Sequence, residues 1–210
     1  MTARAGFGGS AADRLGALAH AGVLGALDAH LARALGEIVP GTPEPVTLAA
    51  ALVSRAAREG HACVALEALG TSAAREEDGQ APALGLPATR DLAAMLEASS
   101  LVSDGARAAP LVLDRGRLYL YRHWADERAL AAALRARASA APLPLDPTAA
   151  RASLDRLFGP RPTAAPDWQR VAAEIAALRP LTVITGGPGT GKTSTVVRVV
   201  ALVIDRKSVV

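Results

Sequence analysis

Leu181-Thr182-Val183-Ile184-Thr185-Gly186-Gly187-Pro188-Gly189-Thr190-Gly191-Lys192-Thr193 is the stretch on which the reading of this 210-residue chain turns. Its second part satisfies the pattern of Gly, four residues, Gly, Lys, then Ser or Thr. With average residue usage, a match arises by chance in roughly one chain of this length in a hundred. The flanks strengthen it. Residues 181–185 are apolar and β-branched, which predicts a strand covered on both faces. Beyond the loop, Val196, Val197, Val199, Val200 and Val203 predict a helix over 194–204 with one strongly apolar side.

A strand, a glycine-rich turn and a helix start together suit a polyphosphate. Glycines let the backbone wrap closely around phosphate oxygens, so that successive N–H groups point inward. The helix start adds free N–H groups and partial positive charge. The expected ATP contacts are therefore Gly186, Gly187, Pro188, Gly189, Thr190, Gly191, Lys192, Thr193 and Ser194. Of these, Lys192 is placed to reach the β- and γ-phosphates and the Thr193 hydroxyl to ligate Mg²⁺, so these two carry the catalytic assignments. Pro188 restricts the loop and lowers the ordering cost of binding. A plain strand-to-helix turn with a surface lysine is the alternative, and it leaves the register of lysine and hydroxyl unexplained.

Upstream, Pro166-Asp167-Trp168-Gln169-Arg170 opens a helix with Val171, Ile175 and Leu178 at helical spacing, Asp167 as its cap and Pro180 as its stop. Gln169 carries both a donor and an acceptor, so it can pair with the N6 and N7 edge of adenine; a solvent-facing glutamine stays open beside that. Pro142, Pro144, Pro147, Pro160, Pro162 and Pro166 interrupt regular structure, so 138–164 reads as a linker holding one short helix near 148–158.

Further back, apolar spacing predicts helix over 11–39 with interruptions at Gly16, Gly22 and Gly25, and a second helix over 47–58 with Thr47 as its cap. Residues 61–69 suit either helix or strand. Residues 70–85 read as an exposed loop, and 91–98 as helix. Short strands are expected at 101–102, 111–113 and 117–121, the last two joined as a hairpin through Asp114-Arg115-Gly116. Residues 124–137 read as helix.

The expected fold is thus α/β: a mostly α-helical N-terminal domain over 1–137 with a small β-hairpin, the proline-rich linker, then over 165–204 the first strand-loop-helix of a truncated RecA-like P-loop NTPase domain. Asp205-Arg206-Lys207-Ser208-Val209-Val210 reads as the in-frame translation of a sequencing-library adapter, GATCGGAAGAGCGTCGTG, and is expected to be a non-native tail over 205–210.

Composition sets limits on function. Hydrophobic residues make up 50% of the chain but much of this is Ala, and aromatics are 3%, so the core must lean on Leu, Val and Ala. With 23 basic and 20 acidic residues the formal charge is +3, which permits nucleic-acid contact without arguing for it. A lone Cys63 excludes an internal disulfide and, in its apolar run, reads as a buried inert thiol. His20, His30, His61 and His123 lack ligand spacing, so no histidine-built metal site is expected. Residues 1–10 lack a signal peptide's apolar core, and His20, Asp28 and His30 interrupt the longest apolar stretch. A soluble cytoplasmic protein with no membrane association is the expectation.

Trp168-Gln169, the strand LTVIT and the loop GGPGTGKT in combination resemble the RecD helicases of superfamily 1, the alpha subunit of exodeoxyribonuclease V. The double glycine Gly186-Gly187 adds to this, because many other P-loop ATPases place proline at the second of these positions. HACVALEAL at 61–69, PLVLDRGRLYLYRHWADERALAAAL at 110–134 and SLDRLFG at 153–159 resemble that subunit's pre-motor region in order and spacing. The resemblance runs from about residue 24 to 204. It implies an ATP-driven motor moving 5′ to 3′ on single-stranded DNA, working with beta and gamma subunits as a heterotrimeric helicase and nuclease on duplex DNA ends in double-strand break repair and recombination. It also implies that Gln169 reads adenine, that Lys192 and Thr193 act on the phosphates and Mg²⁺, and that residues 1–137 dock on the gamma subunit. Tyr119, Tyr121, His123 and Trp124 are candidate contacts there, unless they pack internally.

The chain stops one helix after the loop, short of the acidic Mg²⁺ residues, the arginine that senses the γ-phosphate and the second motor domain. A truncated fragment, inactive alone and with apolar faces uncovered after Pro166, is therefore expected. The alternatives are a stand-alone RecD-like helicase, another P-loop ATPase, and a non-catalytic docking fragment acting through 1–137.

Overall fold

A computed structural model of the chain describes residues 11–72, 84–142, 144, 146–160 and 165–207. They form two compact units, Met1–Arg128 and Ala129–Val210.

The first unit opens with helices α1 (Ala11–His20), α2 (Ala26–Ile38) and α3 (Glu44–Arg58). α1 runs through Gly16 without a break, and the interruption falls at 21–25, where Gly22 adopts φ 74°. α3 starts earlier than its predicted cap at Thr47: Pro43 stands at the N-cap and Pro45 in the first turn. Proline is at home there because the first-turn N–H groups have no helical acceptor anyway. Thr47 is instead inside the helix, buried, its hydroxyl donating to the Glu44 carbonyl at 2.9 Å. Residues 46–54 of α3 are all buried. Ala49, Ala50 and Ala51 are small enough to let neighbours approach on several sides at once.

Asp28 of α2 is fully buried and fully partnered. Its carboxylate accepts from Gly25 N at 2.8 Å, Ser54 Oγ at 2.8 Å, and Arg58 Nε and Nη2 at 3.0 and 2.6 Å. Burial by itself would push this carboxyl up, but the hydrogen bonds from Arg58, Ser54 and Gly25 outweigh it and hold it below its ordinary value of 3.8. A depressed carboxylate contributes stability above its unfolded value and loses that contribution as pH falls through the folded one. Urea midpoints for the first unit's unfolding are therefore expected to drop more steeply below pH 3.8 in the native protein than in Asp28→Asn. Parallel curves for the two would show that Asp28 does not couple folding to pH.

Four strands follow the helices: β1 (Cys63–Ala65), β2 (Val102–Ser103), β3 (Leu111–Asp114) and β4 (Arg117–Leu120), in the order β1-β4-β3-β2. β4 pairs antiparallel with β1 and β3, while β2 pairs parallel with β3. The expected hairpin is present; its turn places Arg115 at φ 51° and Gly116 at φ 72°. Two consecutive positive φ values define the turn whose twist matches the flanking strands. β2 lies at the short strand expected at 101–102, one residue further on, and the sheet gains β1 from the run at 61–69 that suits either helix or strand, since β1 is too short to show a two-residue period.

Helices α4 (Leu66–Ser72) and α5 (Thr89–Ala98) connect β1 to β2. The exposed loop expected at 70–85 falls largely outside the described residues; its first part belongs to α4, and Leu84 is buried. The core joins Leu18, Val46, Leu48, Val53, Leu92, Leu96, Leu101, Leu111 and Leu118 from helices and sheet together. Cys63 is half-buried rather than buried, standing opposite Tyr119 in the β1–β4 register.

Tyr119 itself is buried, whereas Tyr121 is exposed at the start of α6 (Tyr121–Ser139) and His123 is half-buried. Trp124 Nε1 donates to Asp114 Oδ2 at 3.2 Å, and its ring packs on Gly105, which has φ 96°. Trp124 is thus committed to packing within its own unit. α6 has no buried residue and carries the chain across residue 128, where the compact unit ends short of the expected boundary at 137.

The second unit holds α7 (Pro147–Phe158), α8 (Trp168–Leu178) and α9 (Lys192–Lys207). α7 is the short helix expected near 148–158, begun by Pro147 and capped by Asp146. It packs against α8 and α9. Leu154 joins Ala173, Ala177 and Leu202 in one apolar cluster, with Leu157, Phe158 and Val199 against it. Buried Arg170 of α8 ties the helices further, reaching Asp155 Oδ1 at 2.7 Å, Glu174 Oε1 at 3.2 Å and the Gly159 carbonyl at 2.6 Å.

Residues 181–185 form no strand, and the expected cover on both faces is absent, with Val183 76% exposed. A strand is defined by ladder partners, and the described residues of this unit supply none. α9 starts two residues before its predicted start and continues through Lys207, into the segment expected to be a non-native tail. Val196, Val197 and Val200 are exposed; the buried side of α9 runs instead through Thr195 and Leu202, with Val199 half-buried.

Candidate nucleotide-binding site

Residues 186–193 turn from an extended approach into α9. Gly189 and Gly191 both sit at φ 77°, a region that residues with a Cβ enter at a cost. Gly186 has a different constraint: a Cβ there would stand 2.7 Å from Thr190 Oγ1, which in turn donates to the Gly187 carbonyl at 2.9 Å. Thr195 completes the turn from the helix side. Its backbone N–H and its buried hydroxyl both donate to the Gly191 carbonyl, at 2.9 and 3.0 Å.

Sequence reasoning misses Thr195, because a threonine inside a helix carries no motif. An i, i+4 hydroxyl bond is its one readable signal.

Lys192 curls back into the loop and donates to the carbonyls of Gly186 and, at 2.6 Å, Gly187. The ammonium therefore rests among the glycines, where a phosphate oxygen would meet it. α9 has no acidic residue in its first turn to oppose an anion. The first-turn N–H groups of a helix lack intrahelical acceptors and carry its positive dipole end. Thr193 and Ser194 are exposed beside them, and Pro188 and Thr190 are exposed on the loop. This donor set fits a polyphosphate: amides and an ammonium for the oxygens, and the Thr193 hydroxyl for a hard divalent cation such as Mg²⁺.

Gln169 comes to the same loop from α8. Asp167 caps that helix as expected, accepting from Gln169 N at 3.0 Å and Arg170 N at 3.2 Å. The half-buried Gln169 side chain lies against the loop: Nε2 donates to the Thr190 carbonyl at 3.3 Å, and Oε1 accepts from Arg198 Nη1 at 3.4 Å. Arg198 also escapes sequence reasoning, since a single arginine on a valine-rich helix gives no signal before the folded neighbours are known. The residues on either side of Gln169 differ sharply, with Trp168 73% exposed and Arg170 buried.

Among the described residues, no cluster of His, Cys, Asp or Glu is arranged to hold a metal, and no helix is long and apolar enough to cross a membrane.

Comparison with known proteins adds two family matches. Residues 20–119 match the N-terminal domain of RecBCD enzyme subunit RecD, and residues 169–210 match an AAA domain. The chain is 38% identical over 203 residues to RecBCD enzyme subunit RecD of Mycobacterium tuberculosis, covering 95% of this chain and 32% of that protein. To the subunit of the same description from Mycolicibacterium smegmatis it is 36% identical over 188 residues, 90% of this chain and 31% of the other. A Haemophilus influenzae subunit matches at 37% over 91 residues, 43% of this chain and 14% of that one. The chain thus spans about a third of the length of the mycobacterial relatives.

Proposed function

This chain belongs to the RecD family, and on that premise we propose that it is the leading part of an ATP-driven DNA helicase subunit whose nucleotide site is built on residues 186–194 and Gln169. The single observation that carries the nucleotide reading is the Lys192 ammonium lodged against the Gly186 and Gly187 carbonyls at the start of α9. In this reading the loop amides and Lys192 grip the β- and γ-phosphates, Thr193 holds Mg²⁺, and Gln169 meets adenine. Bound Mg²⁺ neutralises charge on the phosphate oxygens. The chain's own residues orient the triphosphate, and Pro188, Gly189 and Gly191 keep the loop in the shape that does so.

The whole protein is proposed to move 5′ to 3′ on single-stranded DNA within an exodeoxyribonuclease V complex with beta and gamma subunits, in double-strand break repair and recombination, in the cytoplasm. The family membership supports this. The unit Met1–Arg128, with its own closed core, is proposed as the gamma-docking domain. Tyr121 and His123 remain the candidate contacts there, since Tyr119 and Trp124 are used in packing. Acidic Mg²⁺ ligands and a second motor domain are proposed to lie in the part of a full-length subunit that these 210 residues do not span, which leaves this piece inactive alone. Exposed Val183, Val196, Val197 and Val200 support this, being apolar surface of the kind a motor sheet covers.

Titration of Mg·ATP into the complete polypeptide tests the reading. Binding in the micromolar to millimolar range, of the order seen for enzyme substrates, is expected, and weaker binding when EDTA removes Mg²⁺. No heat or fluorescence change up to several millimolar Mg·ATP would remove the motor assignment.

A further inference from the structure

We propose that Arg198 is a positioning residue for base selection: braced on Phe158, it fixes which way round the Gln169 carboxamide faces. The inference rests on the nucleotide-site reading above and deepens it.

The Arg198 guanidinium lies 4.9 Å from the centre of the Phe158 ring, over its face, and donates to Gln169 Oε1. Phe158 is itself held in the apolar cluster of its unit, so the cation has a firm platform. On the other side of the amide, the Thr190 carbonyl accepts from Nε2. Turning the carboxamide over would set two donors against each other at Arg198 and two acceptors against each other at Thr190. Both contacts become repulsive, so one sense is imposed.

A carboxamide has two acceptor lone pairs and two N–H donors. Arg198 takes one lone pair and Thr190 takes one N–H. One acceptor and one donor remain, which is the pair that adenine's N6–H and N7 require. Guanine presents an oxygen where adenine presents N6–H, so a carboxamide held in this sense meets oxygen with oxygen. Without Arg198 the amide is free to reverse or rotate away, and the discrimination weakens. The phosphate contacts, made by other residues, stay as they are.

The surroundings make a purely structural role separable. Arg170, the neighbour that staples α8 to α7 through Asp155 and the Gly159 carbonyl, is a different side chain, and Arg198 is not a member of the Leu154, Ala173, Ala177 and Leu202 cluster.

Mg²⁺-dependent binding of ATP, GTP and inorganic tripolyphosphate is measured on the complete polypeptide, as wild type, Arg198→Met, Arg198→Lys and Gln169→Ala. The wild type is expected to prefer ATP over GTP. Arg198→Met is expected to lower that preference about tenfold, within the range that one bidentate base contact supplies, with tripolyphosphate affinity unchanged. Arg198→Lys, which keeps a cation, is expected to recover much of the preference, and Gln169→Ala to lose it. An unchanged ATP-to-GTP ratio in Arg198→Met beside a collapsed ratio in Gln169→Ala overturns the role of Arg198 and leaves the nucleotide site standing. An equal loss for all three ligands in Arg198→Met also overturns it, by showing general damage. A wild type that binds neither ATP nor tripolyphosphate removes both the inference and the reading beneath it.

Discussion

Lys192→Ala, introduced into the complete polypeptide, is expected to lower DNA-stimulated ATP hydrolysis about a thousandfold, the upper end of what losing one charged donor to a transition state costs. The ammonium sits at the point in the loop where the Gly186 and Gly187 carbonyls converge. Nothing else in the described part of the loop is cationic, so no neighbour replaces it. The backbone amides and Thr193 are untouched by the change, and nucleotide affinity is therefore expected to fall far less than turnover. Steady-state hydrolysis measured beside equilibrium ATP binding separates the two. Hydrolysis at the wild-type rate would falsify the catalytic assignment of Lys192.

The second large effect is expected at Gly191, and a comparison with Gly189 isolates its cause. Both residues have φ 77°, so an alanine at either carries the same left-handed strain, about 1 to 2 kcal/mol. Their surroundings differ. A Cβ at Gly189 meets nothing within 4 Å, whereas at Gly191 it would lie 2.5 Å from Gln169 Nε2. Gly189→Ala is therefore expected to weaken Mg·ATP binding about tenfold through strain alone. Gly191→Ala adds the displacement of Gln169 and the loss of its bond to Thr190, and a further tenfold or more is expected. Gly191→Val, with a branched Cβ where φ is positive, is expected to abolish measurable binding. Equal dissociation constants for the two alanine variants would show that Gln169 is not part of the site.

The proposed phosphate loop can be named from the sequence because the chemistry assigned to it rests on residue identity at fixed spacing, with lysine and a hydroxyl at the helix start and glycines of which Gly189 and Gly191 have positive φ. Helix ends are legible where a side chain does the capping, as Asp167 does. They are misread where proline marks a start, as at Pro43 and Pro45, because proline alone signals a break. β1 is hard to read, since its partner β4 is distant in the chain. Residues 181–185 show the reverse failure: the composition is that of a strand, but composition does not supply a ladder. Arg198 lies beyond sequence reading, since its role arises only when α7, α8 and α9 come together, and Thr195 carries no motif although its bond to Gly191 is local.

The burial of α3 on nearly every side has a bearing on how the first unit comes together. A helix so enclosed has no face that a single neighbour can satisfy: Val46, Leu48, Leu52 and Val53 are hidden only when α2, α5 and the sheet are all in place. Partial assemblies would leave these side chains in water, and such intermediates are poorly populated. The unit is therefore expected to fold and melt as one cooperative body, and to be able to close during synthesis before residues 186–193 emerge.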